Sequence, residues 1–295
     1  MGNKNKKGFL NISIFKIICF IVLACYAMLF IGLFAYGALS SLKTFSEFID
    51  YPTQLPQELN FENYATVFKF FWNQPKGVTG PTYYIEHMLL FSVLYSVGCA
   101  LVNLFICAQT AYACARFNFK FSGVVYAIVI FTMIFPVIGS LPSEMQMVKN
   151  LNLQDSFIGN YFLKASFVNI YFLVLFVAFK KVPKDFEEAA QLDGASYSMV
   201  MFKIMYPMVS NMLLTIFIIY FIQYWNDYQT PNLYLQAYPT LSMGLLHFQF
   251  STRIEIAGEP VKLAAAIMVF IPIFTVFLIF SNRLMGNITM GGVKE

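Results

Sequence analysis

The sequence predicts an all-α integral membrane protein with six transmembrane helices, and three observations predict it. Hydrophobic residues make up 59% of the 295 residues and charged residues only 12%, about half the charged share of an ordinary soluble domain. A compact fold cannot hide so much apolar side chain from water, so lipid must cover part of it. Six stretches are long enough to cross the hydrocarbon core, which takes roughly 20 mostly apolar residues as a helix; five carry no charge and the sixth only Lys164. The mean hydropathy of +0.65 agrees. A soluble enzyme, a nucleic-acid binder and a disordered regulator are thereby excluded.

In chain order, residues 1–16 form a basic cytoplasmic N-terminus and residues 17–38 the first span. Lys4, Lys6 and Lys7 before an apolar run resemble a signal peptide, and Val22-Leu23-Ala24-Cys25 faintly resembles a lipoprotein cleavage site. The apolar run continues past Cys25 with no small-residue cleavage site after it, so a retained helix is expected. Residues 39–84 read as an ordered extracytoplasmic loop rich in proline, tyrosine and acidic residues. Residues 85–282 form a five-helix core with spans at 88–115, 121–143, 156–179, 204–226 and 263–282, and residues 283–295 form a cytoplasmic tail. Pro136 and Pro272 fall inside the third and sixth spans and are expected to bend them.

Orientation follows from lysine and arginine in the connections. With the N-terminus inside, the inner segments hold twelve of the 19 and the outer side seven, so both termini are expected in the cytoplasm. Five cysteines, all inside apolar runs, form no C-x-x-C pair, and small packing residues are the natural reading. Neither they nor His87 and His247 have metal-ligand spacing, so no metal and no catalytic residue is expected.

The loop at 180–207 carries the strongest signal. Pro183 favours a helix start, Asp185 can cap the first amides with Glu188 reaching back as in a capping box, and Gly194 supplies a left-handed stop. The expectation is a helix of about two turns, too short to stand alone in water, with small Ala189 and Ala190 permitting close approach by another surface.

Glu188-Ala189-Ala190, followed after three residues by Gly194 and after nine more by Ile204 and then Tyr206-Pro207, resembles the EAA loop of bacterial ABC importer permeases. The family pattern has leucine where this chain has Tyr206. Asp193-Gly194-Ala195-Ser196, Trp225-Asn226-Asp227 before Pro231, Arg116-Phe117-Asn118-Phe119 and Gly291-Gly292-Val293-Lys294 narrow the resemblance to carbohydrate permeases of the maltose type. What it implies is a type I (MetI-like) permease bundle whose short cytoplasmic helix, the coupling helix, seats in a groove of an ABC ATPase subunit. Glu188, Ala189, Ala190, Asp193 and Gly194 would form that contact, with Phe186 and Tyr197 as apolar anchors, and Gly291, Gly292 and Lys294 would approach the ATPase from the C-terminal tail. The implied partners are an ATPase dimer, a second six-span permease, which the sugar-importer resemblance makes a different chain, and an extracytoplasmic solute-binding protein.

Two absences agree with that resemblance and do not depend on it. No ionisable residue lies near the middle of a span, where a secondary carrier would hold its coupling ion. No G-x-x-x-x-G-K-[ST] is present, so ATP and Mg²⁺ are expected on a partner subunit and no cofactor on this chain. Tyr220, Gln223, Tyr224, Asp227 and Tyr228 recur at helical spacing on one face, a candidate path for a neutral sugar together with Asn226. Aromatic residues at this height also read as an interfacial belt, and polar groups in bundles often only join helices, which is the preferred reading for Trp225 and Tyr228. A permease for a non-sugar solute, a secondary carrier and a membrane-embedded enzyme built on Glu86-His87 and His247 are the alternatives.

Overall fold

A computed structural model describes residues 14–74, 81–117, 119–135 and 139–288, which are mostly helical. The chain divides into two units, Met1–Val67 with Thr252–Ile267, and Phe68–Ser251 with Met268–Glu295.

In the first unit, α1 (Ile14–Ser40) is apolar on every face and, among its residues, buries only Ser40. Such a helix has nothing to turn inward and everything to offer to lipid. After it the chain is tied down at once. Thr44 accepts from the Glu47 amide to cap α2 (Phe45–Asp50). Lys43 is buried and donates to the carbonyls of Tyr51 and Pro52 at 2.8 and 3.1 Å. Asn63, in α3 (Glu62–Phe70), donates to the carbonyls of Ser41 and Lys43, both at 2.8 Å. This part of the 39–84 loop is ordered by a buried cation and amide closing on backbone oxygens, as buried polar groups require.

The second unit opens with a short antiparallel ladder, β1 (Trp72–Asn73) on β2 (Tyr83–Tyr84), pairing Trp72 with Tyr84. It is built around α4 (Ile85–Arg116). After it in the chain come α5 (Ser122–Ile134), α6 (Leu141–Asn150), α7 (Phe157–Lys164), α8 (Ile170–Lys181), α9 (Asp185–Leu192), α10 (Tyr197–Val200), α11 (Tyr206–Met208), α12 (Ser210–Asn226), α13 (Gln229–Tyr234), α14 (Leu241–Gln249) and α15 (Glu259–Ile288), whose residues up to Ile267 belong to the first unit. The helix α4 packs against α7, α8, α12 and α14. Its buried side carries Tyr95, Cys99, Ala100, Cys107, Ala108, Ala111 and Cys114, so three of the cysteines are small packing residues that let neighbours come close.

Among the described residues, three helices are long and apolar enough to cross a membrane: α1, α4 and the stretch Glu259–Ser281 of α15. They correspond to the first, second and sixth predicted spans, and α15 runs on through Pro272. The other three predicted spans are not single helices. The third, at 121–143, yields only the 13 residues of α5, about 20 Å of rise against a core of about 30 Å. It ends at Phe135, Gly139 takes φ +83°, and a new helix starts with Pro142 in its first turn; Pro136 lies outside the described residues. The fourth, at 156–179, breaks between α7 and α8 because Asn169 leaves helical geometry and caps α8, its Oδ1 accepting from the amides of Tyr171 and Phe172. The fifth, at 204–226, starts earlier and is bent by 79° between Met208 and Ser210. A π-helical turn, Met201–Met205, precedes Pro207 there, and both are recognised causes of sharp kinks. Counting the bent pair as one crossing gives four.

Candidate functional site

The helix α9 falls where the loop motif predicts it and has the expected length, eight residues. Its start differs from expectation. The cap position is Lys184, at φ −68° and ψ −25°, with no side-chain bond, and its carbonyl already accepts from the amides of Glu187 and Glu188. Asp185 is therefore inside the first turn and forms no capping box; with Glu187 and Glu188 it opposes the positive end of the helix dipole instead.

The stop is as expected. Gly194 has φ +83°, the Ala195 amide donates to the Ala190 carbonyl at 2.9 Å, and the Gly194 amide to the Gln191 carbonyl at 3.0 Å. These are the two bonds of a Schellman cap, and only the left-handed residue between them allows both. Ser196 then accepts from the Met199 amide and starts α10, a cap the loop motif does not announce.

No residue of α9 is buried. Phe186, Glu188, Ala189, Asp193 and Gly194 are exposed, and Leu192, which the motif does not single out, is 89% exposed. Glu187 and Ala190, one turn apart, are half-buried and mark the inward face, so Ala190 faces its own bundle. Tyr197 is 62% exposed, with its ring edge on Phe117 at 5.5 Å. Gly291, Gly292 and Lys294 lie outside the described residues.

Glu187 is a residue that sequence reasoning passes over. Arg116, the last residue of α4, donates from Nε to Glu187 Oε1 at 2.9 Å, with the two side chains 3% and 13% exposed. Its other arm reaches the Pro183 carbonyl at 3.4 Å and Met205 Sδ at 3.8 Å, and the Tyr112 hydroxyl donates to Glu187 at 3.4 Å. A hint was present: an arginine closing a charge-free run, and an acid just before the motif triplet.

The structure brings part of the predicted polar face together. Tyr220 and Tyr224 are buried and stack at 6.1 Å, Tyr171 meets Tyr220 edge-on at 4.8 Å, and Asn103 donates to the Tyr224 hydroxyl at 2.5 Å. Asn103 Oδ1 is buried without a hydrogen-bond partner, and so is the Tyr220 hydroxyl, which lies near the Cys107 thiol. Unspent capacity of this kind is uncommon in a protein interior. Gln223, Asn226 and Tyr228 are exposed, Asn226 donating to its own helix at the Ile222 carbonyl. Trp225 is buried with Phe221 beside a groove of about 340 Å³ that also includes Leu89, Val93, Phe217 and Pro272. That groove is apolar and does not suit a hydroxylated solute. Thr110 and Thr132 simply bond the carbonyl four residues back.

Asp227 is fully engaged. Its Oδ2 accepts from the Tyr95 hydroxyl at 2.9 Å and sits 3.2 Å from Lys164 Nζ, while Oδ1 accepts from the Thr230 amide. Lys164 also donates to the Thr230 hydroxyl at 2.7 Å and lies over the Tyr224 ring. Burial pushes the Asp227 carboxyl up, but Lys164, Thr230 and Tyr95 outweigh it and hold the group below its ordinary value. The stability it contributes is present above the unfolded carboxylate value of about 3.9 and is lost only as pH falls through the lower folded value, so the carboxylate stays charged at neutral pH. Asp227→Asn strands a largely covered ammonium and should cost roughly 1–3 kcal/mol. Thermal unfolding in detergent would show it, and Lys164→Met in the same chain should recover part of the loss.

His247 is held between Asn73 at 2.8 Å and Asn232 at 3.1 Å, and His87 lies 3.6 Å from Glu86. Neither pairing is arranged as a nucleophile with its base.

Residues 105–288, more than half of the chain and including every element from the end of α4 to α15, match the family described as binding-protein-dependent transport system inner membrane component. The diacetylchitobiose uptake system permease protein NgcG of Streptomyces coelicolor is 28% identical over 258 residues, 86% of this chain and 80% of that protein. The trehalose transport system permease protein SugB of Mycobacterium tuberculosis is 27% identical over 249 residues, 81% and 84% of the two chains. A solved bacterial ABC transporter involved in import of the acidic polysaccharide alginate superposes with a TM-score of 0.75 at 21% identity, covering 94% of this chain and 99% of that one. The fold is that of an ABC importer permease, and the matched region contains both the exposed α9 and the tyrosine seam. The chain thus belongs to the family of inner-membrane components of binding-protein-dependent transport systems, transport subunits that work with a separate ATPase and a solute-binding protein.

Proposed function

We propose that this chain forms half of the translocation pathway of an ATP-driven carbohydrate importer, with a second, different permease chain supplying the other half. The observation that carries this reading is α9: a two-turn helix closed by a left-handed glycine, with no buried residue and Leu192 standing free. A helix so short is not stable without a surface to dock on. Its outward residues Phe186, Glu188, Ala189, Leu192 and Asp193, with Tyr197 beyond the stop, are the contact offered to the ATPase, and the tail glycines Gly291 and Gly292 with Lys294 would join it. The ATP and Mg²⁺ belong to that partner.

The cargo is a saccharide. NgcG and SugB are named for sugar uptake, and the seam of Tyr220, Tyr224 and Asn103 offers aromatic faces and amide groups without a free charge. The chain crosses the bilayer six times with both termini inside. Three crossings are interrupted, which the bilayer tolerates where the freed backbone lies against protein or a water-filled path. ATP binding closes the ATPase pair, α9 moves with it, and the bundle passes between inward-facing and outward-facing states, each favoured by a different ligand.

The test is purification from the native membrane. An affinity-tagged chain should bring down an ATPase and a second six-span permease, and Leu192→Cys should cross-link to the ATPase. Sugar accumulation in vesicles holding this chain with no ATPase would overturn the reading.

A further inference from the structure

We propose that Arg116 is a positioning residue for transport, the joint through which movement of α9 reaches α4 and the tyrosine seam. This rests on the reading of α9 as the coupling helix. With no residue buried, α9 has little shape by which to grip its bundle, and its inward face is Glu187 and Ala190. Glu187 is held by two α4 side chains, Arg116 and Tyr112. The same guanidinium meets Pro183 at the entry to α9 and Met205 at the end of the π-helical turn. One planar fork therefore gathers the entry, the helix and the bend that leads into α12.

Charge alone does not explain this placement. A surface arginine near a helix end usually keeps its head in water, whereas Arg116 is 3% exposed. Lysine would preserve the charge but has no second arm to reach the Pro183 carbonyl and Met205 while holding Glu187. Beyond Arg116, α4 packs on α8 and α12, and Asn103 and Tyr95 along it meet Tyr224 and Asp227. A displacement of α9 is thus delivered to the helix that carries the seam.

The experiment uses the whole complex, with Cys19 and Cys25 replaced by alanine and Gln223→Cys as reporter, labelled with N-ethylmaleimide with and without ATP. Leu192→Cys, made separately, reports docking through its cross-link to the ATPase. In Arg116→Gln or Glu187→Gln the cross-link and ATP hydrolysis should persist, while the ATP-induced change in labelling rate falls roughly 5-fold or more. Arg116→Lys, which keeps the charge but not the second arm, should fall in between. Wild-type response in the single variants overturns the proposal. Failure of the single variants to assemble also overturns it, since the pair would then serve folding only. Absence of the cross-link in the parent complex sinks the coupling-helix reading itself, a distinct result.

Discussion

Gly194→Val is expected to leave the chain in the membrane at normal abundance while lowering solute uptake roughly 5–30-fold. The glycine holds φ +83°, and a Cβ built there meets no atom within 4 Å. Space is not the obstacle; the backbone is. An L-residue in left-handed geometry costs about 1–2 kcal/mol, a factor of about 5–30 in an equilibrium, and a β-branched side chain sits at the upper end. The strain is relieved by giving up the bonds from Ala195 to Ala190 and from Gly194 to Gln191. Losing them redirects Leu192 and Asp193 and shifts the start of α10. Because α9 lies outside the packed core, the bundle itself is untouched. Uptake measured beside immunoblotted membrane abundance would separate the two effects, and Gly194→Asn, which tolerates this geometry, should retain far more transport. Glu188→Ala makes the matching test at an exposed position: normal uptake by both the Val and the Ala variants would refute an ATPase contact here.

The opposite pattern, lost protein rather than lost coupling, is expected from Gly159→Ala. Gly159 is buried in the first turn of α7, where its amide donates to Ser156 Oγ at 3.3 Å. An added Cβ would collide with the Leu153 carbonyl oxygen, a backbone atom that cannot swing aside. Leu153 is fixed in turn by the bond from its amide to the Val148 carbonyl. Overpacking of this kind costs roughly 1–3 kcal/mol and sometimes more, enough to remove much of the margin of a marginally stable fold. Steady-state abundance and the unfolding temperature in detergent should both drop. Gly123→Ala is the control, since a Cβ there meets nothing within 4 Å and alanine favours the helix. Equal stability of the Gly159 and Gly123 variants would contradict the packing described.

The sequence made α1, α4 and α15 legible because each is an apolar run whose interior carries no residue that competes for the backbone strongly enough to break it. Composition could not show where the remaining apolar runs break. Asn169 stops one helix and starts the next by turning its own side chain onto two amides, and in a hydropathy profile it is simply one polar residue. Likewise, the bend before Ser210 arises from a π turn meeting Pro207, a matter of register rather than apolarity. Around α9 the local signals did well at the end and poorly at the start. Glycine has one physical reason to stand at position 194, whereas Lys184, Asp185 and Glu188 could have been arranged in several equally good first turns. The partners in the charged pairs Arg116 with Glu187 and Lys164 with Asp227 could not be matched from sequence because each pair joins residues far apart in the chain. Only packing brings them together.

The length of α4 has a consequence for the surrounding lipid. Thirty-two residues rise about 48 Å, well beyond a hydrocarbon thickness of about 30 Å, so the helix must lean or project. Arg116 closes one end, and the Tyr95 hydroxyl is pinned to Asp227 some six turns away. Acyl-chain length therefore acts on the lean of a rod clamped at two points, and a thicker or thinner membrane changes the angle at which the Arg116 clamp presents α9.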